Sequence, residues 1–153
     1  MTKVIVTGAD GQLGRSLAGL SDHFDGLILF TARKDFDISN IESIRSVLNT
    51  FQPDYIINCA AYTAVDKAES EVEKAFEINK QAIINIIKES EDLHCKIIHI
   101  STDYVFNGNN SSPYKEEDRI DPQSVYGRSK ADGEKALLEL APSRSMIIRT
   151  SWL

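Results

Sequence analysis

The sequence predicts an α/β fold, a doubly wound parallel sheet covered by helices. Three observations predict it. Five short β-branched-rich apolar runs recur along 153 residues, helical patterns separate them, and the first run opens directly onto a glycine-rich turn. Runs nearly continuous in apolar residues suit strands covered on both faces, as parallel strands are. Strand–helix alternation repeated in this way calls for a parallel sheet with right-handed crossovers. The expected strand order is 3-2-1-4-5 in a three-layer α/β/α arrangement. Ligands are expected at the carboxyl ends of strands 1 and 4, where the winding reverses.

Each element has its own signal. The first strand is KVIVT (3–7), followed by a short amphipathic helix over 12–20. The second strand is LILFT (27–31). Ser39-Asn40-Ile41-Glu42 reads as a capping box that opens a helix running to about 51, ahead of Pro53. YIIN (55–58) is the third strand. Ser70-Glu71-Val72-Glu73 is a second box, after which Ala75, Ile78, Ala82, Ile83, Ile86 and Ile87 recur at helical spacing. The fourth strand, KIIHIS (96–101), leads to a polar, turn-rich loop, NGNNSSPYKEEDRIDP (107–122). A helix follows from about 123 to 140, between Pro122 and Pro142, and the fifth strand is MIIRTS (146–151).

Composition narrows the function. Hydrophobic residues at 42% and charged residues at 26% are an ordinary soluble balance. A net charge of -6 argues against nucleic acid as a partner, which would need a basic face. No apolar run approaches the ~20 residues of a membrane span. The start, MTKVIVTG, reads as a strand and not as a signal segment, so a cytoplasmic location is the default. Cys59 and Cys95 lack metal spacing and read as reduced core thiols. His23, His94 and His99 are scattered, and no metal site is assigned.

The glycine turn is Thr7-Gly8-Ala9-Asp10-Gly11-Gln12-Leu13-Gly14, spaced G-x-x-G-x-x-G. It follows a strand and opens a helix, the context of a Rossmann-type phosphate-binding turn. Gly8 would allow the tight turn, Gly11 the approach of backbone to a pyrophosphate, and Gly14 close packing of helix on sheet. The loop residues Gly8, Asp10, Gly11, Gln12, Leu13 and Gly14 are therefore candidates for cofactor binding. After the second strand the chain reads Phe30-Thr31-Ala32-Arg33-Lys34, with cations where an acid would select a ribose 2′-hydroxyl. Arg33 predicts NADPH at least as readily as NADH. Asp37 and Ile38, in DFDIS, are placed to reach the adenine; Asp37 reads equally as an acid at a helix start.

The fourth strand ends in Ser101-Thr102-Asp103, putting a hydroxyl near any nicotinamide bound at the switch point. Tyr126 and Lys130 stand four residues apart, one helical turn, so both side chains share a face. Alone, the pair reads as a surface tyrosine beside a solvated lysine. Converging with the glycine turn and Thr102, it reads as acid–base machinery.

TGxxGxxG, a strand-end Ser/Thr and YxxxK together resemble the extended short-chain dehydrogenase/reductase superfamily. GADGQLG (8–14), NCAAYTAVDKAESE (58–71), STDYVFNG (101–108), VYGRSKADGEKAL (125–137) and IIRTSWL (147–153) resemble the dTDP-4-dehydrorhamnose reductase family from end to end. The resemblance implies reduction of the 4-keto group of dTDP-4-dehydro-L-rhamnose to dTDP-L-rhamnose with NADPH or NADH, in nucleotide-sugar and polysaccharide biosynthesis. It makes Tyr126 the proton donor, its pKa lowered by Lys130 and the nicotinamide charge. Lys130 would also bond the nicotinamide ribose, and Thr102 would hold the substrate oxygen. Ala60, Ala61 and Tyr62 match the stretch whose backbone lines the cofactor. Asn79 matches a position that helps place the lysine, or is an ordinary helix-surface amide. Asp103 joins Thr102 and Tyr126 on the substrate side without a named role.

Two rivals share the scaffold. A 4,6-dehydratase needs Asp-Glu after the strand-end Thr, and here Asp103 and Tyr104 follow Thr102, which argues against it. A C4 epimerase is opposed by AAYTAVDKAE. A third reading is non-catalytic: an NADP-binding partner protein resembling the regulatory β subunit of methionine adenosyltransferase. The chain is shorter than members of the family. Residues 1–153 are therefore expected to be the NAD(P)-binding domain, with the substrate-binding part elsewhere, weak in cofactor binding and poor in turnover alone. The sheet edge after the fifth strand would be uncovered, inviting self-association, with a homodimer as the form to test.

Overall fold

The computed structural model describes residues 1–151; Trp152 and Leu153, the end of the IIRTSWL block, lie outside the described residues. The chain runs β1 (Thr2–Thr7), α1 (Gln12–Ala18), β2 (Gly26–Thr31), α2 (Ile41–Phe51), β3 (Tyr55–Asn58), α3 (Val65–Ala68), α4 (Val72–Phe76), a π-helical turn (Glu77–Gln81), α5 (Ala82–Glu89), β4 (Lys96–Thr102), α6 (Val125–Leu140) and β5 (Ser145–Thr150). Short 3-10 turns sit at Ser21–His23 and Asp103–Val105. All five strands are parallel.

The doubly wound α/β architecture is the one the sequence predicts, but the third strand has another place. The order is β2-β1-β3-β4-β5, so β3 lies inside, against β1, and not outside β2 as in 3-2-1-4-5. Burial explains this. Ile56 and Asn58 of β3 are fully buried, a demand an edge cannot meet, whereas β2 exposes Leu27 and tolerates the edge. The reversal point therefore falls between the carboxyl ends of β1 and β3, with β4 next in line.

One face carries the core. Ile5, Ile56 and Ile97 from three strands pack with Ile44 and Leu48 of α2, Ile83, Ile86 and Ile87 of α5 and Leu137 of α6. The connection β1→β2 runs opposite to the later ones, so right-handed crossovers assign α1 alone to the other face. That second helical layer is thin. Val4 and Val6 of β1 are buried there, but Met146 and Ile148 of β5 are 59% and 43% exposed. The expected three layers are thus complete only toward β1.

Capping differs from the sequence reading in both boxes. Asn40, not Ser39, caps α2, its Oδ1 accepting from the Glu42 and Ser43 N–H groups at 2.9 and 3.2 Å. The Ser39 hydroxyl instead donates to Asp37 Oδ1 at 2.7 Å. The second box does not form; Ser70 Oγ donates to the Lys67 carbonyl, and α4 has no side-chain cap. At α6, Ser124 Oγ accepts from Gly127 N at 3.0 Å. Among the described residues no helix is long and apolar enough to cross a membrane.

Candidate functional site

A cleft of about 580 Å³ opens at the carboxyl ends of β1, β3 and β4. Its floor is the glycine turn. Gly8 has φ +64°, a left-handed conformation that disfavours a side chain, and a Cβ there would sit 2.8 Å from Ala60 N. A Cβ on Gly14 would collide with Gly8 O and Ala9 Cα, so the turn folds tightly over the start of α1. Ala9 N donates to Thr31 O and Gly11 N to Gly8 O, both at 3.0 Å, which ties the turn to β2 and to itself. Gly8, Asp10, Gly11, Gln12, Leu13, Gly14, Arg33, Asp37, Ile38, Ala60, Ala61, Thr102, Asp103, Tyr126 and Lys130 all line this one cleft. Of the residues singled out in the sequence, Tyr62 and Asn79 do not.

At the end near β2, Arg33 Nε lies 3.3 Å from Asp37 Oδ2, with the Arg33 side chain 71% exposed. Burial alone would raise the Asp37 carboxyl, but the hydroxyl and N–H of Ser39 and the Arg33 guanidinium outweigh it and hold it below its ordinary range. Asp37 does not head α2; its hydrogen bonds organise the 37–43 segment instead.

At the other end, Thr102 Oγ1 accepts from Tyr104 N at 3.2 Å and donates to Asp103 Oδ1 at 3.2 Å. It thereby caps the Asp103–Val105 turn while facing the cleft. Tyr126 is buried beside Tyr104, ring centroids 5.6 Å apart and nearly perpendicular. Burial raises its pKa, and the charge of Asp103 adds to the rise while the neighbouring Thr102 hydroxyl offsets part of it. This departs from the lowered phenol expected above. Lys130 is only 2% exposed. Its Nζ donates to the Ile100 carbonyl at 2.7 Å and sits 3.3 Å from His99 Nε2. Burial lowers the Lys130 ammonium to about 8, with Glu134 and Cys59 pulling the other way.

Asn79 is buried, 1% exposed, so it is not a helix-surface amide. Its carboxamide brackets the backbone of Tyr62, accepting from Tyr62 N at 2.9 Å and donating to Tyr62 O at 3.1 Å, and also donates to Ser129 Oγ at 2.9 Å. It joins the segment after β3 to α6, from behind the cleft. A Cβ on Gly133 would strike Asn79 O, so α6 lies directly on the π-helical turn. Gly127, next to Tyr126, has a similar reason: a Cβ there would strike Tyr104 O, where α6 meets the 103–105 turn.

Three buried polar groups were given no role in the sequence reading. Thr7 Oγ1 donates to Asn58 Oδ1 at 2.6 Å, Asn58 Nδ2 lies 3.0 Å from His99 Nδ1, and His99 reaches Lys130. A polar residue near the end of each of three apolar strands was the available signal. The buried Glu134 meets Arg149 of β5 at 2.7 Å, and Arg149 also donates to Glu116 O at 2.9 Å. Ser101 Oγ is buried against the cleft without a hydrogen-bond partner among the described residues. The glycine cradle, this free hydroxyl and the cation at Arg33 fit a phosphate-bearing dinucleotide.

The family model described as "RmlD substrate binding domain" matches residues 1–153. A dTDP-4-dehydrorhamnose reductase of Aggregatibacter actinomycetemcomitans is 46% identical over 99% of this chain and 52% of its own length. The spore coat polysaccharide biosynthesis protein SpsK of Bacillus subtilis is 42% identical over 100% of this chain and 54% of its own. The crystal structure of dTDP-4-dehydrorhamnose reductase from Bacillus anthracis in complex with NADP superposes with a TM-score of 0.94 at 40% identity, covering 99% of this chain and 54% of that one. The chain spans about half the length of the curated relatives it matches.

Proposed function

The chain belongs to the RmlD substrate-binding-domain family, and from that premise we propose that it is the NAD(P)-binding part of an enzyme that reduces the 4-keto group of dTDP-4-dehydro-L-rhamnose to dTDP-L-rhamnose. The observation that carries the reading is that Thr102, Tyr126 and Lys130 line the same cleft as the glycine turn. The relative solved with NADP and the reductase names of the relatives favour a reductase over a non-catalytic partner protein. Although the family is described by substrate binding, the features within residues 1–151 are those of a dinucleotide cleft. We assign residues 1–153 to that domain, and most of the sugar pocket to the length of the relatives without counterpart here. The dTDP-sugar is the proposed partner; a location in the cytoplasm and a homodimer are part of the same proposal.

The turn from Gly8 to Gly14 would hold the pyrophosphate of a nicotinamide dinucleotide and Arg33, Asp37 and Ile38 its adenosine end; the reduced cofactor, when bound, would supply the hydride. The protein supplies the proton and the alignment. Burial keeps the Tyr126 phenol protonated at neutral pH, so it is poised to donate its proton to the carbonyl oxygen as that oxygen becomes an alcohol. Thr102, whose hydroxyl stands at the cleft, orients the same oxygen. The Lys130 ammonium directs two N–H groups to Ile100 O and His99 and keeps one for a ribose hydroxyl. Ala60 and Ala61 line the cofactor with backbone and small side chains; Tyr62 and Asn79 support that wall from behind.

The test is NADPH oxidation with the keto-sugar, measured in the polypeptide that includes the sugar-binding length of its relatives. Tyr126→Phe is expected to lower turnover by about 10²–10⁴-fold and to change NADPH affinity little. Near-normal turnover by that variant would overturn the assignment.

A further inference from the structure

We infer that His99 is a positioning residue: with Thr7 and Asn58 it forms a buried row across three adjacent strands that holds Lys130 Nζ in register with the glycine turn. The three are true rung partners. Thr7 of β1 stands opposite Asn58 of β3, and Asn58 opposite His99 of β4. They point to the same face as Ile5, Ile56 and Ile97, two residues further along each strand, and all three are buried. The row begins at the turn, where Thr7 precedes Gly8 and its Oγ1 accepts from Ala60 N at 3.2 Å. It ends on α6, at Lys130. A parallel sheet interior is ordinarily apolar, and an unpaired polar group there is costly. Three such groups in one rung are tolerated because each satisfies the next.

The donors and acceptors make the row specific. An ammonium only donates, so a charged Lys130 needs His99 Nε2 as acceptor and leaves the ring proton on Nδ1. Nδ1–H then requires the carboxamide oxygen of Asn58 toward the ring and the amide nitrogen toward Thr7, the reverse of the orientation in the structure, where Nδ2 faces His99 Nδ1 and Oδ1 faces Thr7 Oγ1. A neutral Lys130 amine can accept from Nε2–H, and the amide then presents its nitrogen to Nδ1. The ring stays neutral in both cases; burial, and then the Lys130 charge, depress its pKa far below the ordinary value. The groups facing Lys130 are His99 from β4, Glu134 and Tyr126 from α6, and Cys59 from the segment after β3. Glu134 is engaged by Arg149 at 2.7 Å. His99 is therefore the uncharged side chain that, with the Ile100 carbonyl, sets where Nζ sits. The inference rests on the reading of Lys130 as a cofactor-binding residue.

The experiment uses protein labelled with ¹³C/¹⁵N lysine and ¹⁵N histidine, compared with His99→Leu and His99→Gln. In the native protein the His99 ring is expected to carry its proton on Nδ1 while Lys130 is charged, and on Nε2 once Lys130 is neutral. His99→Leu removes a charge-assisted hydrogen bond, so the Lys130 midpoint is expected to fall by about one pH unit and NADPH binding to weaken about tenfold. His99→Gln, which restores an acceptor, should recover most of both. A folded His99→Leu protein with unchanged Lys130 titration and NADPH affinity would overturn the inference, as would a tautomer that ignores the Lys130 titration. If His99→Leu does not fold, the native tautomer and the Gln variant decide. None of these readouts needs the sugar. A protein that binds NADPH and shows the expected shifts but never reduces the keto-sugar would defeat the proposed activity and leave His99 in place.

Discussion

Burying an ammonium as deeply as Lys130 is expected to make folding stability rise with pH in a range where most proteins lose it. The Lys130 pKa falls from the ordinary 10.5 to about 8, with burial as the largest cause. Below pH 8 both folded and unfolded chains carry the proton, and the folded state bears the full cost of the buried charge. Between pH 8 and 10.5 the folded chain sheds the proton and the unfolded chain keeps it, so the unfolded state binds more protons and stability climbs. At about 1.36 kcal/mol per pH unit, the shift corresponds to about 3 kcal/mol of relief over that window. Lys130→Met cannot titrate and serves as the reference, since groups remote from Lys130 titrate equally in both proteins and Cys59, the thiol coupled to Lys130, is pushed by burial up to about 11, above the window. Urea unfolding of the two at pH 7 to 10.5 is the assay. The native protein should gain on the variant by about 3 kcal/mol across the window. Parallel pH profiles would refute the argument, and would mean that Nζ is hydrated in solution.

Two further outcomes follow from the cleft and its supports. Arg33→Ala should weaken NADPH about tenfold, roughly 1.4 kcal/mol, with little change for NADH, as measured by fluorescence titration; a strong NADH preference in the unaltered protein, retained by the variant, would contradict the role given to Arg33. Gly133→Ala should destabilise the fold by about 1–3 kcal/mol in urea, because the new methyl group meets Asn79 O and forces α6 off the π-helical turn; a change below about 0.5 kcal/mol would show that α6 shifts freely there.

Much of the cleft was legible because its signals are local. A left-handed Gly8 and a crowded Gly14 are demanded by a turn only a few residues long, and the spacing displays both. Tyr126 and Lys130 share a face because helical geometry puts them there. Asn79 was half legible: its match to a family position pointed to a role, but its burial and its hold on Tyr62 depend on two segments meeting. The misread capping boxes show the limit of such patterns. Ser39 and Asn40 are both competent caps, and Asn40 takes the role once Ser39 is bonded to Asp37.

What the sequence determined by itself was the five strands, the main helices and the chemistry of the glycine turn, Thr102 and the Tyr126–Lys130 pair, since periodicity, turns and i,i+4 spacing act over a few residues. Only the tertiary structure decided which strand lies beside which. That choice moved β3 to the middle of the sheet, because Ile56 and Asn58 require cover on both sides. It also aligned Thr7, Asn58 and His99, 51 and 41 residues apart along the chain, into one rung beneath Lys130. The raised Tyr126 and lowered Lys130 follow from the same cause. A proton's affinity there depends on how much water the packed chain excludes, which no short stretch of sequence contains.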